Sequence, residues 1–208
     1  MTLLAHRGLW VVASQRNTLE AFRDAFVNGF GIEIDVRDLA GELVVSHDPP
    51  VAGALGFDAV LDEYLAQGTP GLLAVNVKAD GLHALLTEAL ARVPAERWFA
   101  FDMSVPDTRG YAQSALPFYT RHSDLEADPS LYDAAGGVWL DDFAGGFIDE
   151  PKIAAHLAAG KHVAVVSPEL HRREHRETWE QWARWDVWAD PRVHLCTDHP
   201  LEAQEVFA

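Results

Sequence analysis

The chain has 208 residues, with 16 lysines and arginines against 32 aspartates and glutamates, for a formal net charge of −16. At 49% hydrophobic and 23% charged it has the composition of a packed globular protein, which excludes intrinsic disorder. So acidic a surface disfavours nonspecific binding to nucleic-acid backbones and anionic lipid, while a small phosphate ligand held by local cations or a metal stays open. The single cysteine, Cys196, cannot form an internal disulfide and fits a reducing compartment. Only Met1-Thr2-Leu3-Leu4-Ala5 precedes His6-Arg7, too little for a signal-peptide core. No apolar run approaches the roughly 18 residues of a membrane span. The expectation is a soluble, cytoplasmic protein without stable membrane insertion.

Short apolar runs alternate with helix-like stretches along the whole chain. The runs are Leu3–Ala5, Ile32–Val36, Leu43–Val45, Leu72–Val77, Trp98–Phe101, Phe118–Tyr119, Val138–Leu140, Val163–Val166 and Val193–Cys196. Asn17-Thr18 offers an N-cap for a helix with Leu19, Ala21, Phe22, Ala25 and Phe26 on its apolar face, stopping at Asn28-Gly29. Leu82, Leu85, Leu86, Ala89, Leu90 and Val93 recur at steps of three and four, which predicts another helix. This alternation predicts an α/β fold, a mainly parallel sheet with helices outside.

Nine runs exceed an eight-stranded barrel by one. Only Arg37-Asp38-Leu39-Ala40-Gly41-Glu42 separates Val36 from Leu43, and a parallel crossover needs about a dozen residues. Leu43–Val45 should therefore return antiparallel as a small β-hairpin arm after the second strand. Eight strands remain for a (β/α)8 TIM barrel. No Pro/Gly/Ser-rich linker divides the chain, so residues 1–208 read as one domain.

Polar and ionisable residues lie within or directly after the runs. They are His6-Arg7-Gly8, Glu33 and Asp35, His47-Asp48, Asn76 and Lys78, Asp102, Arg121, Asp141, then Ser167-Pro168-Glu169-Leu170-His171 and Thr197-Asp198-His199. In a parallel barrel these positions gather on one rim, where such folds place their chemistry. Glu33 and Asp35, two apart in a strand, point to the same side. Their like charges need a neutraliser: a divalent cation, Mg²⁺ or Ca²⁺, with Asn76 offering a third oxygen, or an ion network with Lys78 and Arg7. His6 and His47 end different strands, and a histidine pair suits proton transfer to and from a phosphodiester near neutral pH.

The strings His6-Arg7-Gly8, Asn17-Thr18-Leu19-Glu20-Ala21-Phe22, Gly31-Ile32-Glu33-Ile34-Asp35-Val36 and Gly41-Glu42-Leu43-Val44-Val45-Ser46-His47-Asp48 resemble the glycerophosphodiester phosphodiesterase family. That family belongs to the phosphatidylinositol-specific phospholipase C-like superfamily of (β/α)8 barrels. The resemblance implies that His6 and His47 are catalytic, that Glu33 and Asp35 ligate a metal, and that Arg7 and Lys78 hold the phosphate. It also implies attack by a neighbouring substrate hydroxyl and a cyclic phosphodiester that water then opens. The chain looks like a short, atypical branch. Asn76-Val77-Lys78 stands where the family has Glu-Ile-Lys, which removes a negative charge from the metal site. Val165-Val166-Ser167-Pro168-Glu169-Leu170-His171 stands in place of a Trp-Thr-Val-Asn-like stretch, and Thr197-Asp198-His199-Pro200 resembles the terminal Thr-Asp-x-Pro.

Glu169 and His171 either contact a polar headgroup or anchor the loop before the last helix. Asp102, Arg121 and Asp141 are candidate substrate contacts by position, and Asp198 is expected to orient a neighbour by hydrogen bonding. Trp179, Trp182, Trp185 and Trp188 repeat every three residues, which predicts a helix face packed on the barrel; an exposed part would suit a homodimer contact. The loop from Pro49 to Phe57 is short, so a small soluble phosphodiester is the expected substrate. Alternatives are a lyase that releases the cyclic phosphate and a non-catalytic phosphodiester-binding barrel.

Overall fold

A computed structural model of the chain describes residues 1–207. Its elements follow in the order β1 (Thr2–His6), α1 (Leu19–Val27), β2 (Gly31–Leu39), β3 (Glu42–Val45), α2 (Phe57–Ala66), β4 (Leu73–Val77), α3 (His83–Leu90), β5 (Trp98–Phe101), α4 (Val105–Gln113), β6 (Tyr119–His122), β7 (Gly137–Leu140), α5 (Glu150–Ala158), β8 (His162–Val166), α6 (Arg176–Trp182), β9 (Val193–Thr197) and α7 (Pro200–Val206). Each apolar run of the sequence gives rise to one strand. The sheet order is β5-β4-β2-β1-β9-β8-β7-β6, with every neighbouring pair parallel. β3 returns antiparallel on β2 across Ala40-Gly41, both at positive φ, as the short connector requires.

The circle is nearly closed. β5 and β6, the two ends of the sheet, meet in a single parallel bridge between Ala100 and Phe118. Stacked rings seal this seam from inside. Phe99 lies on Tyr119 at 3.6 Å and 5°, and Phe101 on Trp139 at 3.8 Å and 21°. Gly137 makes room for this packing, since a Cβ there would lie 2.6 Å from the Tyr119 ring.

Two apolar layers result. The outer one packs helices on the sheet through residues such as Phe22, Phe26, Tyr64, Leu86 and Trp179. The inner one plugs the barrel with Leu4, Ala74, Phe99, Phe101, Tyr119, Trp139, Ala164, Val166 and Cys196. Side chains alternate along a strand, so the position two beyond a plug residue also faces inward. Those positions after Leu4, Ala74, Tyr119, Trp139 and Cys196 are His6, Asn76, Arg121, Asp141 and Asp198. An apolar plug thus carries a polar layer directly above it.

Some boundaries differ from the pattern. Thr18 alone caps α1, accepting from the Ala21 amide at 3.2 Å, while Asn17 adopts a positive φ of 58° and turns elsewhere. The tryptophan stripe does not sit on one helix. α6 ends at Trp182, and Trp188 belongs to a separate 3-10 turn, Asp186–Ala189. Trp179, Trp182 and Trp188 are nonetheless buried in the outer core, with Trp185 packed at its edge. Among the described residues, no helix is long and apolar enough to cross a membrane.

Candidate active site

His6, Arg7, Glu33, His47, Asn76, Lys78, Asp102, Arg121, Asp141, Glu169 and His171 line one cleft of about 500 Å³ at the C-terminal ends of the strands. Asp35 is fully buried. The cleft begins with a sharp turn after β1. Arg7 has φ 59° and Gly8 φ 92°; the Arg7 amide bonds to Glu33 O at 3.0 Å and the Leu9 amide to Ala21 O at 2.8 Å. A Cβ on Gly8 would sit 2.7 Å from the Ala21 carbonyl carbon, so only glycine admits α1 this close. The turn leaves Arg7 Nε 2.8 Å from Asp35 Oδ2.

His6 is held from one side. Its Nδ1 lies 2.6 Å from Asp198 Oδ1, while Nε2 is 3.8 Å from Glu33 Oε2. Asp198 Oδ2 accepts from Arg16 Nη2 at 2.8 Å. Burial pushes the Asp198 carboxyl up, but the His6 hydrogen bond and the charges of His6 and Arg16 outweigh it and hold the group below its ordinary value. An ionised Asp198 fixes the imidazole proton on Nδ1 and leaves Nε2 toward the cleft. The expected orienting role of Asp198 corresponds to this contact. His47 stands half exposed on the rim, with Nδ1 2.9 Å from Asp48 Oδ1 and its carbonyl accepting from Arg37 Nε at 3.0 Å.

Glu33, Asp35 and Asn76 converge between β2 and β4. Asn76 Nδ2 donates to Glu33 Oε1 at 2.9 Å, and Asn17 Nδ2 donates to Asp35 Oδ2 at 2.8 Å. Glu33 Oε2, Asp35 Oδ1 and Asn76 Oδ1 are buried without a hydrogen-bond partner. Three buried hard oxygens that accept no hydrogen bond are donors of the kind Mg²⁺ or Ca²⁺ takes, so the residues fit such a cation. Burial first, then the Asp35 charge, push the Glu33 carboxyl above its ordinary value. The ion-network alternative is realised in part: Arg7 pairs with Asp35, and Lys78 Nζ lies 3.7 Å from Asp35 Oδ1. Among the described residues, no group of three or more His, Cys, Asp or Glu side chains is placed to hold a metal; the third oxygen beside Glu33 and Asp35 is an amide.

The opposite wall is an alternating chain of charge. Lys78 Nζ donates to Asp102 at 3.0 Å, Arg121 bridges Asp102 and Asp141, and His171 Nε2 meets Asp141 Oδ1 at 2.6 Å. Burial raises the Asp102 carboxyl, yet Arg121 and Lys78 more than offset this and keep it below the usual range. Asp102 itself has φ 70°, a left-handed conformation that aspartate enters more readily than most residues. The half-exposed Phe143 ring covers Arg121 at 5.5 Å and packs on His171 at 4.7 Å.

Glu169 faces the cleft but is bonded internally. Oε1 accepts from Thr197 Oγ1 at 2.6 Å and the Asp198 amide at 3.0 Å, and Oε2 accepts from Ser167 Oγ. Sequence reasoning missed Arg16 and the Asn17 contact to Asp35. An arginine in a loop without a pattern carries no signal of its partner, whereas an asparagine before a threonine cap could have been read as a left-handed position.

No family model matches the chain, and neither does any curated protein. Solved structures do. One from Galdieria sulphuraria, provisionally named a glycerophosphodiester phosphodiesterase, aligns over 99% of this chain and 97% of its own at 16% identity, with a TM-score of 0.76. The chain shares its fold with this structure. A phosphodiesterase from Oleispira antarctica, solved with the product sn-glycerol-3-phosphate, covers 99% and 96% at 16% identity and a TM-score of 0.67. A Ca²⁺-dependent phosphatidylinositol-specific phospholipase C from Streptomyces antibioticus covers 99% and 96% at 12% identity and a TM-score of 0.52. In this fold His6 and Arg7, Glu33, and His47, from three separated strings of the sequence, line one cleft.

Proposed function

We propose that the chain is a metal-dependent phosphodiesterase that hydrolyses a glycerophosphodiester or a sugar–glycerol phosphodiester through a cyclic phosphate. The observation that carries this reading is the convergence on one cleft of His6, fixed through Nδ1 by Asp198, with Glu33 and Asn76, where buried oxygens of Glu33, Asn76 and the adjoining Asp35 accept no hydrogen bond. A substrate hydroxyl next to the phosphate attacks phosphorus and displaces the other alcohol, leaving a cyclic phosphodiester that water then opens to the phosphomonoester. His6 and His47 divide the proton transfers, one taking the proton of the attacking hydroxyl and the other donating to the leaving oxygen. Arg7 and Lys78 direct positive charge toward the phosphate. A divalent cation held by Glu33, Asp35 and Asn76 would offset charge on the non-bridging oxygens and acidify the attacking hydroxyl. Asp102, Arg121, Asp141 and His171 contact the alcohol carried by the phosphate. The likeness of the fold to solved phosphodiesterases supports the reaction class.

The test is a phosphorus NMR time course on purified protein. It uses a panel of glycerophosphodiesters, glycosylated ones included, with Mg²⁺ or Ca²⁺ and a chelator control. Metal-dependent appearance of a phosphomonoester supports the hydrolase; a cyclic phosphate that persists makes the enzyme a lyase. One observation favours a second reading, a barrel that binds the diester without turnover: the donor set holds two carboxylates and a neutral amide. Saturable diester binding with no phosphorus signal change at saturating metal would select it.

A further inference from the structure

We infer that Glu169 is a positioning residue for His6, acting through Asp198, and not a contact for substrate. The carboxylate lies in the cleft wall, yet three donors from the ends of β8 and β9 occupy it: Ser167 Oγ, Thr197 Oγ1 and the Asp198 amide. Ser167 and Thr197 are fully buried. Ser167 Oγ in turn accepts from Trp179 Nε1 at 2.8 Å, which ties the carboxylate to the outer core of the barrel. No cation pairs with Glu169 among the described residues. A carboxylate offers about four acceptor sites, and three of them are occupied inside the protein, which leaves little for a ligand.

What these bonds hold is the segment that carries Asp198. Glu169 Oε1 fixes the amide of Asp198, and the hydroxyl of Thr197 accepts from the next amide, His199, at 3.0 Å. Asp198 is clamped on both sides of its own Cα. Its side chain then delivers one oxygen to His6 Nδ1 and the other to Arg16. The short 3-10 turn Pro168–His171 sets Glu169 in place. It begins directly after Ser167, whose amide bonds to Cys196 O at 3.0 Å and keeps β8 in register with β9. The Ser167-Pro168-Glu169 string, where the resemblance leads one to expect a different sequence, thus supplies a brace under the acid–base group. A brace matters because a hydrogen-bonded base loses its effect when the partner moves by a fraction of an ångström.

One arm of the test rests on the diesterase reading and the other does not. Without substrate and at fixed pH, proton NMR of isotopically labelled full-length chain reads the Nδ1 proton of His6, assigned by its loss in His6→Ala. A short Nδ1–H···Asp198 bond gives a downfield signal. Glu169→Ala should move that signal upfield or broaden it away, while Glu169→Gln, which keeps an acceptor for the Asp198 amide, should retain it. Glu169→Leu, matched in volume, gives the same readout if the alanine variant does not fold. In the activity arm, Glu169→Ala should lower kcat about tenfold with KM unchanged, and Glu169→Gln should restore most of it. An unmoved Nδ1 signal in the alanine or leucine variant overturns the inference. So does a raised KM at constant kcat, the signature of a substrate contact. Wild-type protein without turnover would refute the diesterase reading and leave the NMR arm to decide this one.

Discussion

His194 makes stability depend on pH in a way that can be calculated. It lies on β9 at the end of the barrel away from the cleft, 2% exposed, with Nε2 3.4 Å from His162 Nδ1 and Nδ1 unpartnered. Burial first, then the charges of His162 and the N-terminal ammonium, push its pKa down from 6.5 to about 3, against a small opposing pull from Asp190. The folded protein therefore resists protonation that the unfolded chain accepts. This contribution to stability is complete above pH 6.5 and disappears as the pH falls toward 3. At 1.36 kcal/mol per unit the whole effect is about 5 kcal/mol, of which about 2 kcal/mol is lost between pH 7 and pH 5. Glu33 works in the opposite sense, because a raised carboxyl takes up its proton in the folded state first. The informative experiment compares wild type with His194→Gln in urea melts at pH 7, 6 and 5. The variant should lose about 2 kcal/mol less than wild type over that interval. Parallel pH slopes for the two proteins would show that His194 titrates normally when folded, and the reasoning would fail.

The other predictions concern the cleft. His6→Ala and His47→Ala should each lower turnover by about a hundred- to ten-thousandfold with circular dichroism unchanged, and wild-type activity in either would remove that histidine from the acid–base pair. Asp198→Asn should cut kcat by about ten- to a hundredfold through loss of a charge-assisted bond, checked by steady-state kinetics on the preferred diester. Asn76→Glu should bind Mg²⁺ or Ca²⁺ about tenfold more tightly by calorimetry, since it restores a charge to the donor set; an unchanged affinity would place Asn76 outside it. Gly8→Ala, at φ 92° and 2.7 Å from the Ala21 backbone, should cost about 2–3 kcal/mol and lower Tm by roughly 5–10 °C in a thermal melt.

The sequence by itself determined the architecture. Apolar runs and the residues between them are local features, and a connector of six residues cannot make a parallel crossover, so the hairpin of β3 on β2 followed from length alone. Alternation along a strand is equally local, which is why Glu33 and Asp35 could be assigned to one face before any contact was known. Once the topology is a parallel barrel, the ends of all strands share a rim, and the candidate site follows. Only the tertiary structure decided which rim groups meet. His6 and Asp198 are 192 positions apart, Arg16 reaches Asp198 from a loop without a pattern, and Arg121 is bound to carboxylates from the strands on either side of it. The tryptophan repeat illustrates the same limit, because its period continues past the point where α6 ends. Glu169 shows it most plainly. A carboxylate on the rim reads as a ligand contact until the stagger of β8 against β9 brings Ser167, Thr197 and the Asp198 amide onto its two oxygens. Register and stagger arise from closing the whole sheet, and no local stretch of the chain encodes them.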